Sequence, residues 1–147
     1  MSGCGCGQKD DEKRLLYSCS GCSDVGEIAD ISARELARVG FGKMACLAGV
    51  GAKLPDFIAA AKKSDENIVI DGCEIACGKK ILDSAGVVSK GHILTQMGLV
   101  KGKTSLAQEV IALVCQKIAN DGVEKPEGGC GSGGCESGEC GCSGGCE

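Results

Sequence analysis

Between residues 15 and 120 the sequence alternates short apolar runs with longer amphipathic stretches, and this alternation leaves few possible architectures. The apolar runs predict four β-strands, at residues 15–18, 43–47 and 67–71 and within residues 87–96, where 92–96 is the preferred position. Strands that alternate with helices favour a mostly parallel sheet covered by helices on both faces. We therefore expect a small three-layer α/β domain with a four-stranded, mostly parallel sheet, in the common strand order 2-1-3-4.

Four helices are predicted between and after these strands. Ser23 is suited to cap the first helix, which then runs to about Val39 and ends at Gly40. Pro55 is expected in the first turn of the second helix, where proline is tolerated. The third helix is predicted over residues 72–85 and the last over residues 105–120.

The two ends of the chain differ in composition from this central part. Residues 1–13 read as a flexible leader that carries Cys4 and Cys6, residues 14–122 as the domain, and residues 123–147 as a tail. Beyond Pro126 the tail has no apolar side chain except cysteine, so it cannot bury a core and is predicted to be flexible. Its cysteines are candidates for binding a soft ion, or are inert: Cys130, Cys135, Cys140, Cys142 and Cys146.

Charge and hydropathy exclude several kinds of partner. The net charge of −4 gives no electrostatic footprint for nucleic acid. No apolar run approaches the roughly 20 residues of a membrane helix, and the first residues lack the apolar core of a signal peptide. We expect a cytoplasmic protein with reduced thiols, in which 13 cysteines indicate metal binding or thiol chemistry rather than disulfides.

Five cysteines directly follow predicted strands. Cys19 and Cys22 come after the first strand, Cys46 ends the second, and Cys73 and Cys77 come after the third. The carboxyl ends of parallel strands share one edge of a sheet, and ligand sites form there. The sequence therefore predicts a cluster of thiolates at that edge, suited to a soft metal, an iron–sulfur cluster or thiol exchange.

The local spacing of these cysteines supports the cluster. A Cys-x-x-Cys pair such as Cys19 and Cys22 can chelate one metal from a single loop, or can act as a redox dithiol. Cys73 and Cys77 are four residues apart at the start of the third predicted helix, which would put both sulfurs on one helical face. Asp71 could cap that helix or hydrogen-bond a metal ligand. Taken alone, Cys46 is equally compatible with a small buried apolar residue.

Three functions remain open at this point. Four thiolates can hold Zn²⁺ in a closed tetrahedral site, which is structural rather than catalytic. The same cysteines could serve redox or sulfur transfer, with Cys22 or Cys73 as nucleophile, or could bind an iron–sulfur cluster. No catalytic residue is assigned. The protein partner, if one exists, is unknown.

Other motifs argue against competing sites. Reactive-cysteine loops that bind phosphate or arsenate need an arginine six residues after the nucleophile, where this chain has Val25 and Ile28. There is no glycine-rich nucleotide motif after the first strand. Cys115, in the middle of the last predicted helix, is expected to pack, and His92 is expected to be a structural or surface residue.

Three ordered segments of the sequence carry a family resemblance: CSGCSDVGEIAD, KMACLAGVG and IDGCEIACGKKIL. Together they resemble the DGC-domain family, which is named after the Asp-Gly-Cys found here as Asp71, Gly72 and Cys73. The resemblance covers roughly residues 14–121 and leaves out the cysteine-rich tail. It implies a zinc site formed by the cysteines that match the family's motifs: Cys19, Cys22, Cys73 and Cys77, with Cys46 as a fifth candidate.

Overall fold

The computed structural model describes residues 14–121. The predictions for the leader and the tail, including Cys4, Cys6 and the five tail cysteines, lie outside these residues. The strands are β1 (Arg14–Ser18), β2 (Lys43–Met44), β3 (Glu66–Asp71) and β4 (Lys90–Ile93). The helices are α1 (Asp24–Arg38), α2 (Leu47–Gly51), α3 (Pro55–Lys63), α4 (Cys77–Ser84) and α5 (Gln108–Asp121). Among the described helices none is long and apolar enough to span a membrane.

All four strands are parallel and follow the order β2-β1-β3-β4, which confirms the predicted α/β fold and strand order. The two central strands, β1 and β3, are buried over almost their whole length, as expected for a sheet covered on both faces. Their alternating side chains divide the core into two clusters. Leu16, Ile68 and Ile70 pack with α1 and α5, whereas Tyr17 and Val69 pack with α2, α3 and α4.

The predicted second strand, residues 43–47, is too long. β2 ends at Met44, and Cys46 caps the short helix α2 by accepting the Gly49 N–H on its Sγ at 3.3 Å. The residues that follow Cys46, Leu47–Gly51, form the helix α2. The usual N-cap residues are serine, threonine, aspartate and asparagine, so the sequence pattern did not predict a helix capped by a cysteine sulfur.

The third helix also begins later than predicted, at Cys77 rather than at residue 72. Ala76, the residue before it, has a left-handed backbone with φ of 51°, so the chain turns over residues 72–76. Cys73 therefore lies in a turn, and Cys77 is the first residue of α4. The prediction that both sulfurs share one helical face is wrong. β4 spans Lys90–Ile93 instead of residues 92–96, and α5 starts at Gln108 instead of residue 105.

His92, the only histidine in the chain, is a structural residue of β4. It is 4% exposed, its Nδ1 lies 3.8 Å from a carboxylate oxygen of Asp121, and its Nε2 has no hydrogen-bond partner among residues 14–121. Burial lowers the pKa of His92, and the nearby Lys90 lowers it further, outweighing the opposite effects of Asp121 and Glu66. The folded protein therefore resists protonation of this imidazole.

We expect the free energy of unfolding to fall as the pH drops below about 6.5, the value at which the unfolded histidine begins to bind its proton. One group contributes a slope of at most about 1.4 kcal/mol per pH unit. Urea unfolding of the full chain at several pH values between 7.5 and 5 would measure it. The variant His92→Gln should show a flatter pH profile in this range, and equal profiles for both proteins would contradict the assignment.

Candidate functional site

Three loops meet where β1, β3 and β4 end. The first connects β1 to α1 and contains Cys19 and Cys22, and the second connects β3 to α4 and contains Cys73. The third, residues 94–107, connects β4 to α5. The sheet ladder continues into these loops, because the Cys19 N–H donates to the Ile70 carbonyl at 3.1 Å and the Leu94 N–H to the Asp71 carbonyl at 2.9 Å. The first two cysteine-bearing loops are therefore direct neighbours.

Cys19 and Gly72 join the first two loops. The Sγ of Cys19 accepts a hydrogen bond from the Gly72 N–H at 3.3 Å, and Cys19 is half-buried against the core on the α1 side. A Cβ at position 72 would lie 2.7 Å from the backbone N of Gly26 and the carbonyl carbon of Val25. Only glycine lets the loop after β3 approach the first turn of α1 so closely. Cys73, half-buried, follows directly.

Asp71 fixes the start of α4. The residue is 2% exposed, and its carboxylate accepts the N–H groups of Gly78 at 2.8 Å and Lys79 at 2.9 Å. A carboxylate at a helix N-terminus satisfies free N–H groups and is favoured by the helix dipole. The helix-capping role considered for Asp71 is thus present in the structure. Because this cap fixes the start of the helix, Cys77 is the first residue of α4, and its side chain is exposed.

A polar network holds the loop between Cys19 and Cys22. The hydroxyls of Ser18 and Ser20 donate to one carboxylate oxygen of Asp30, at 3.0 and 2.9 Å, while Arg34 donates to the other at 2.8 Å. Burial by itself would raise the pKa of Asp30, but the hydrogen bonds from Arg34, Ser20 and Ser18 outweigh it and hold the pKa below its usual value. The network fixes Ser20 in a left-handed conformation with φ of 43°.

The third loop brings a lysine to the site. Its backbone is anchored to α1, because Asp24 accepts the N–H groups of Gly102 at 2.9 Å and Thr104 at 3.1 Å. The hydrogen bond from Gly102 is the main reason that the pKa of Asp24 is lowered. Lys101, next to this anchor, donates from Nζ to the Cys73 Sγ at 3.7 Å. Sequence reasoning missed Lys101, since nothing in its local pattern separates it from other surface lysines.

The remaining cysteines are more dispersed. All six that the structure describes are free thiols, and Cys22, Cys46 and Cys77 are exposed. Cys115 packs against the core and donates to the Ser32 carbonyl at 3.5 Å, and burial raises the pKa of its thiol. Within residues 14–121 no three Cys, His, Asp or Glu side chains are grouped to hold a metal ion. The four-thiolate zinc site therefore stays a prediction.

The close approach at Gly72 gives a test of this architecture. We expect Gly72→Ala to lower the free energy of unfolding by about 1–3 kcal/mol, because the added methyl group meets rigid backbone of α1. Gly21→Ala is the matched control in the neighbouring loop, where an added Cβ would have only the Cys19 Sγ nearby, at 4.0 Å. Denaturant unfolding of both variants measures the difference. Similar stability of the two variants would mean that the two loops are not packed as described.

Comparisons with known proteins give two sequence matches. The sequence model of the DGC domain matches residues 15–118, which include all five cysteines of the predicted site. The anaerobic and virulence modulator AnvM of Pseudomonas aeruginosa is 38% identical over 93 residues, which are 63% of this chain and 71% of that protein. No solved structure matches the chain.

Proposed function

The chain belongs to the DGC domain family, and from this premise we propose that it binds a soft metal ion, Zn²⁺ in the first instance, through cysteine thiolates at the end of β1 and β3. The ligands proposed are Cys19, Cys22, Cys73 and Cys77, with Cys46 as a spare. Thiolate ligands require a reducing compartment, so the cytoplasm is the proposed location. An iron–sulfur cluster is the alternative occupant of a Cys₄ site.

The contact between Cys19 and Gly72 is the observation that carries this proposal. It joins the Cys19–Cys22 loop to the loop that holds Cys73, so that three cysteines lie on two loops in direct contact, and Cys77 begins the helix that follows the second loop. The backbone N–H that donates to the Cys19 sulfur is also a typical feature of metal-bound thiolates, since hydrogen bonds to sulfur help to set the properties of such centres.

The donor chemistry fits zinc, because thiolates are its preferred ligands in structural sites and four of them complete a tetrahedral shell. Within residues 14–121, the side chains of the proposed ligands are not grouped closely enough to hold a metal ion. Cys22 and Cys77 are exposed, so little packing opposes a change of their rotamers. We expect the metal to draw these two side chains toward the half-buried pair, Cys19 and Cys73, while the backbone stays in place.

Zinc titration tests the proposal if the seven cysteines outside residues 14–121 are first replaced by serine in the full chain. We expect this background protein, kept anaerobic and reduced, to bind one equivalent of Zn²⁺ against a competing chromophoric chelator. Further substitution of Cys19 or Cys73 by serine should remove this equivalent, because a Cys₄ site that loses one thiolate becomes incomplete. Elemental analysis and the colour of the anaerobic preparation distinguish zinc from an iron–sulfur cluster.

The control is Cys115→Ser in the same background, since Cys115 packs in the core away from the proposed ligands. It should retain the zinc equivalent, as should Cys46→Ser if Cys46 is spare. Absence of zinc binding in the background protein, or equal loss in all the serine variants, would contradict the proposal.

Thiol redox or sulfur transfer is the second candidate, and the contact between Lys101 and Cys73 favours it. Reactive cysteines are typically partly exposed and lie next to a cation, as Cys73 does. The name of the P. aeruginosa relative, an anaerobic and virulence modulator, supports a role that responds to conditions, which a thiol pair could provide.

Alkylation kinetics test this second candidate. In the metal-free full chain, we expect Lys101→Met to slow the reaction of Cys73 with iodoacetamide, because the adjacent ammonium is lost. The rates at Cys22 and Cys77, read in the same sample by peptide mass spectrometry, serve as internal references. Lys103→Met is the matched control on the same loop. An unchanged Cys73 rate in Lys101→Met would remove the support for this candidate.

A further inference from the structure

A cavity of about 660 Å³ lies between β1, the edge strand β2 and the helices α2 and α3, on the face of the sheet away from α1. Its walls are mainly apolar and include Tyr17, Val50, Phe57 and Ala60. Pockets for small organic molecules typically have roughly 300–1,000 Å³ and a mostly apolar lining with few polar groups. This cavity has that size and character, and the proposed metal ligands at the end of β3 do not line it.

The local sequence explains why the space is open. β2 ends at Met44, so the residue next in register beside Tyr17 is Ala45, whose side chain is short. Ala45 and Ala60 contribute one methyl group each to the lining. Gly49 in α2 allows the Phe57 ring to lie directly against the helix, because a Cβ at this position would be 2.7 Å from the ring. The ring is thereby held at one wall of the cavity.

Tyr17 supplies a polar group in this apolar lining. The residue is 1% exposed, yet the structure gives its hydroxyl no hydrogen-bond partner among residues 14–121. The hydroxyl of a tyrosine that lines a cavity can donate a hydrogen bond to a ligand atom bound there. Burial raises the pKa of Tyr17 to about 12, so the hydroxyl keeps its proton and can donate.

The charges at the cavity indicate the kind of acceptor. β2 pairs Lys43 with Leu15, so the Lys43 side chain is on the same sheet face as Leu15 and Tyr17. Lys43, Lys63 and Asp65 all line the cavity. Lys43 is exposed and free to turn toward a bound anion. A proton donor and a cation on one wall suit a carboxylate group.

We propose that this cavity binds a small amphipathic carboxylate, with the aliphatic chain among Val50, Phe57 and Ala60 and the carboxylate at Tyr17 and Lys43. The site is independent of the metal site proposed above, because its lining shares only the spare residue Cys46 with the thiolate candidates. Apolar contact provides most of the binding free energy, and the two polar groups provide the preference for an acid.

Calorimetric titration of the metal-free full chain with octanoate, at concentrations below micelle formation, tests the proposal. We expect saturable 1:1 binding that is weaker for octan-1-ol. Tyr17→Phe should weaken octanoate binding about tenfold, as for one hydrogen bond to a charged group. Lys43→Met should weaken it by up to about fivefold, because an exposed ammonium contributes less. Lys43→Met should leave the affinity for octan-1-ol unchanged, because the alcohol carries no charge, and Tyr17→Phe should weaken octan-1-ol less than octanoate, because a hydrogen bond to a neutral oxygen is weaker.

A pair of neighbouring alanines on α3 separates cavity binding from surface binding. Both alanines are exposed, but Ala60 lines the cavity and Ala59 does not. Ala60→Phe should fill the cavity and abolish octanoate binding, while Ala59→Phe should bind as the unsubstituted protein does. Circular dichroism and melting temperature confirm that both variants are folded. No binding by the unsubstituted chain, equal binding by both phenylalanine variants, or equal affinity for octanoate and octan-1-ol would overturn the proposal.

Discussion

The close contact between the loop after β3 and the first turn of α1 is the constraint on which the site depends. Gly72 lies against the backbone of Val25 and Gly26. Gly26 in turn lies against the backbone of Gly21, so there is no room for a Cβ at position 26. These contacts join backbone to backbone, so no side-chain rearrangement can relieve them. They fix the Cys19 loop against the Cys73 loop, and the hydrogen bond from Gly72 to the Cys19 sulfur follows from that position.

Asp71, Gly72 and Cys73 have three different roles within three consecutive residues. Asp71 caps α4 from a buried position, Gly72 allows the contact with α1, and Cys73 presents a sulfur next to Lys101. The first two residues stabilise the fold and the third carries the proposed chemistry. A substitution of Asp71 or Gly72 would therefore affect the thiols through the backbone, without touching any sulfur.

The fold was predicted well because the strongest signals in the sequence are patterns of apolar residues that extend over whole strands and helices. The apolar runs of β1 and β3 and the amphipathic pattern of α1 were sufficient for the parallel sheet, and the strand order followed from the common doubly wound arrangement. Element ends were predicted less well, because they depend on single hydrogen bonds. The Cys46 sulfur begins α2, and the left-handed Ala76 with the carboxylate of Asp71 delays α4 until Cys77. Apolar periodicity contains no information about such contacts.

The site was predictable only to the level of neighbouring loops. Parallel strands bring Cys19 and Cys73 to one edge of the sheet independently of side-chain packing, so topology alone predicted that these two residues are close. The contributions of Lys101 and Tyr17 depend on packing between distant parts of the chain, which spacing along the sequence does not reveal.

Among residues 14–121 three non-glycine residues have left-handed φ angles, and two of them lie in the cysteine-bearing segments, while the third, Lys53, lies between α2 and α3. Ser20 lies between Cys19 and Cys22, and Ala76 lies between Cys73 and Cys77, and both have left-handed φ angles that cost a non-glycine residue about 1–2 kcal/mol. Ser20 is compensated by its hydrogen bond to Asp30, whereas Ala76 has no side-chain hydrogen bond that could offset the cost. A strained residue persists where the surrounding structure determines the backbone, and such residues cluster at functional sites. The strain therefore falls on the segments whose shape decides where the four sulfurs point, which is where a protein that uses those sulfurs would need a fixed backbone.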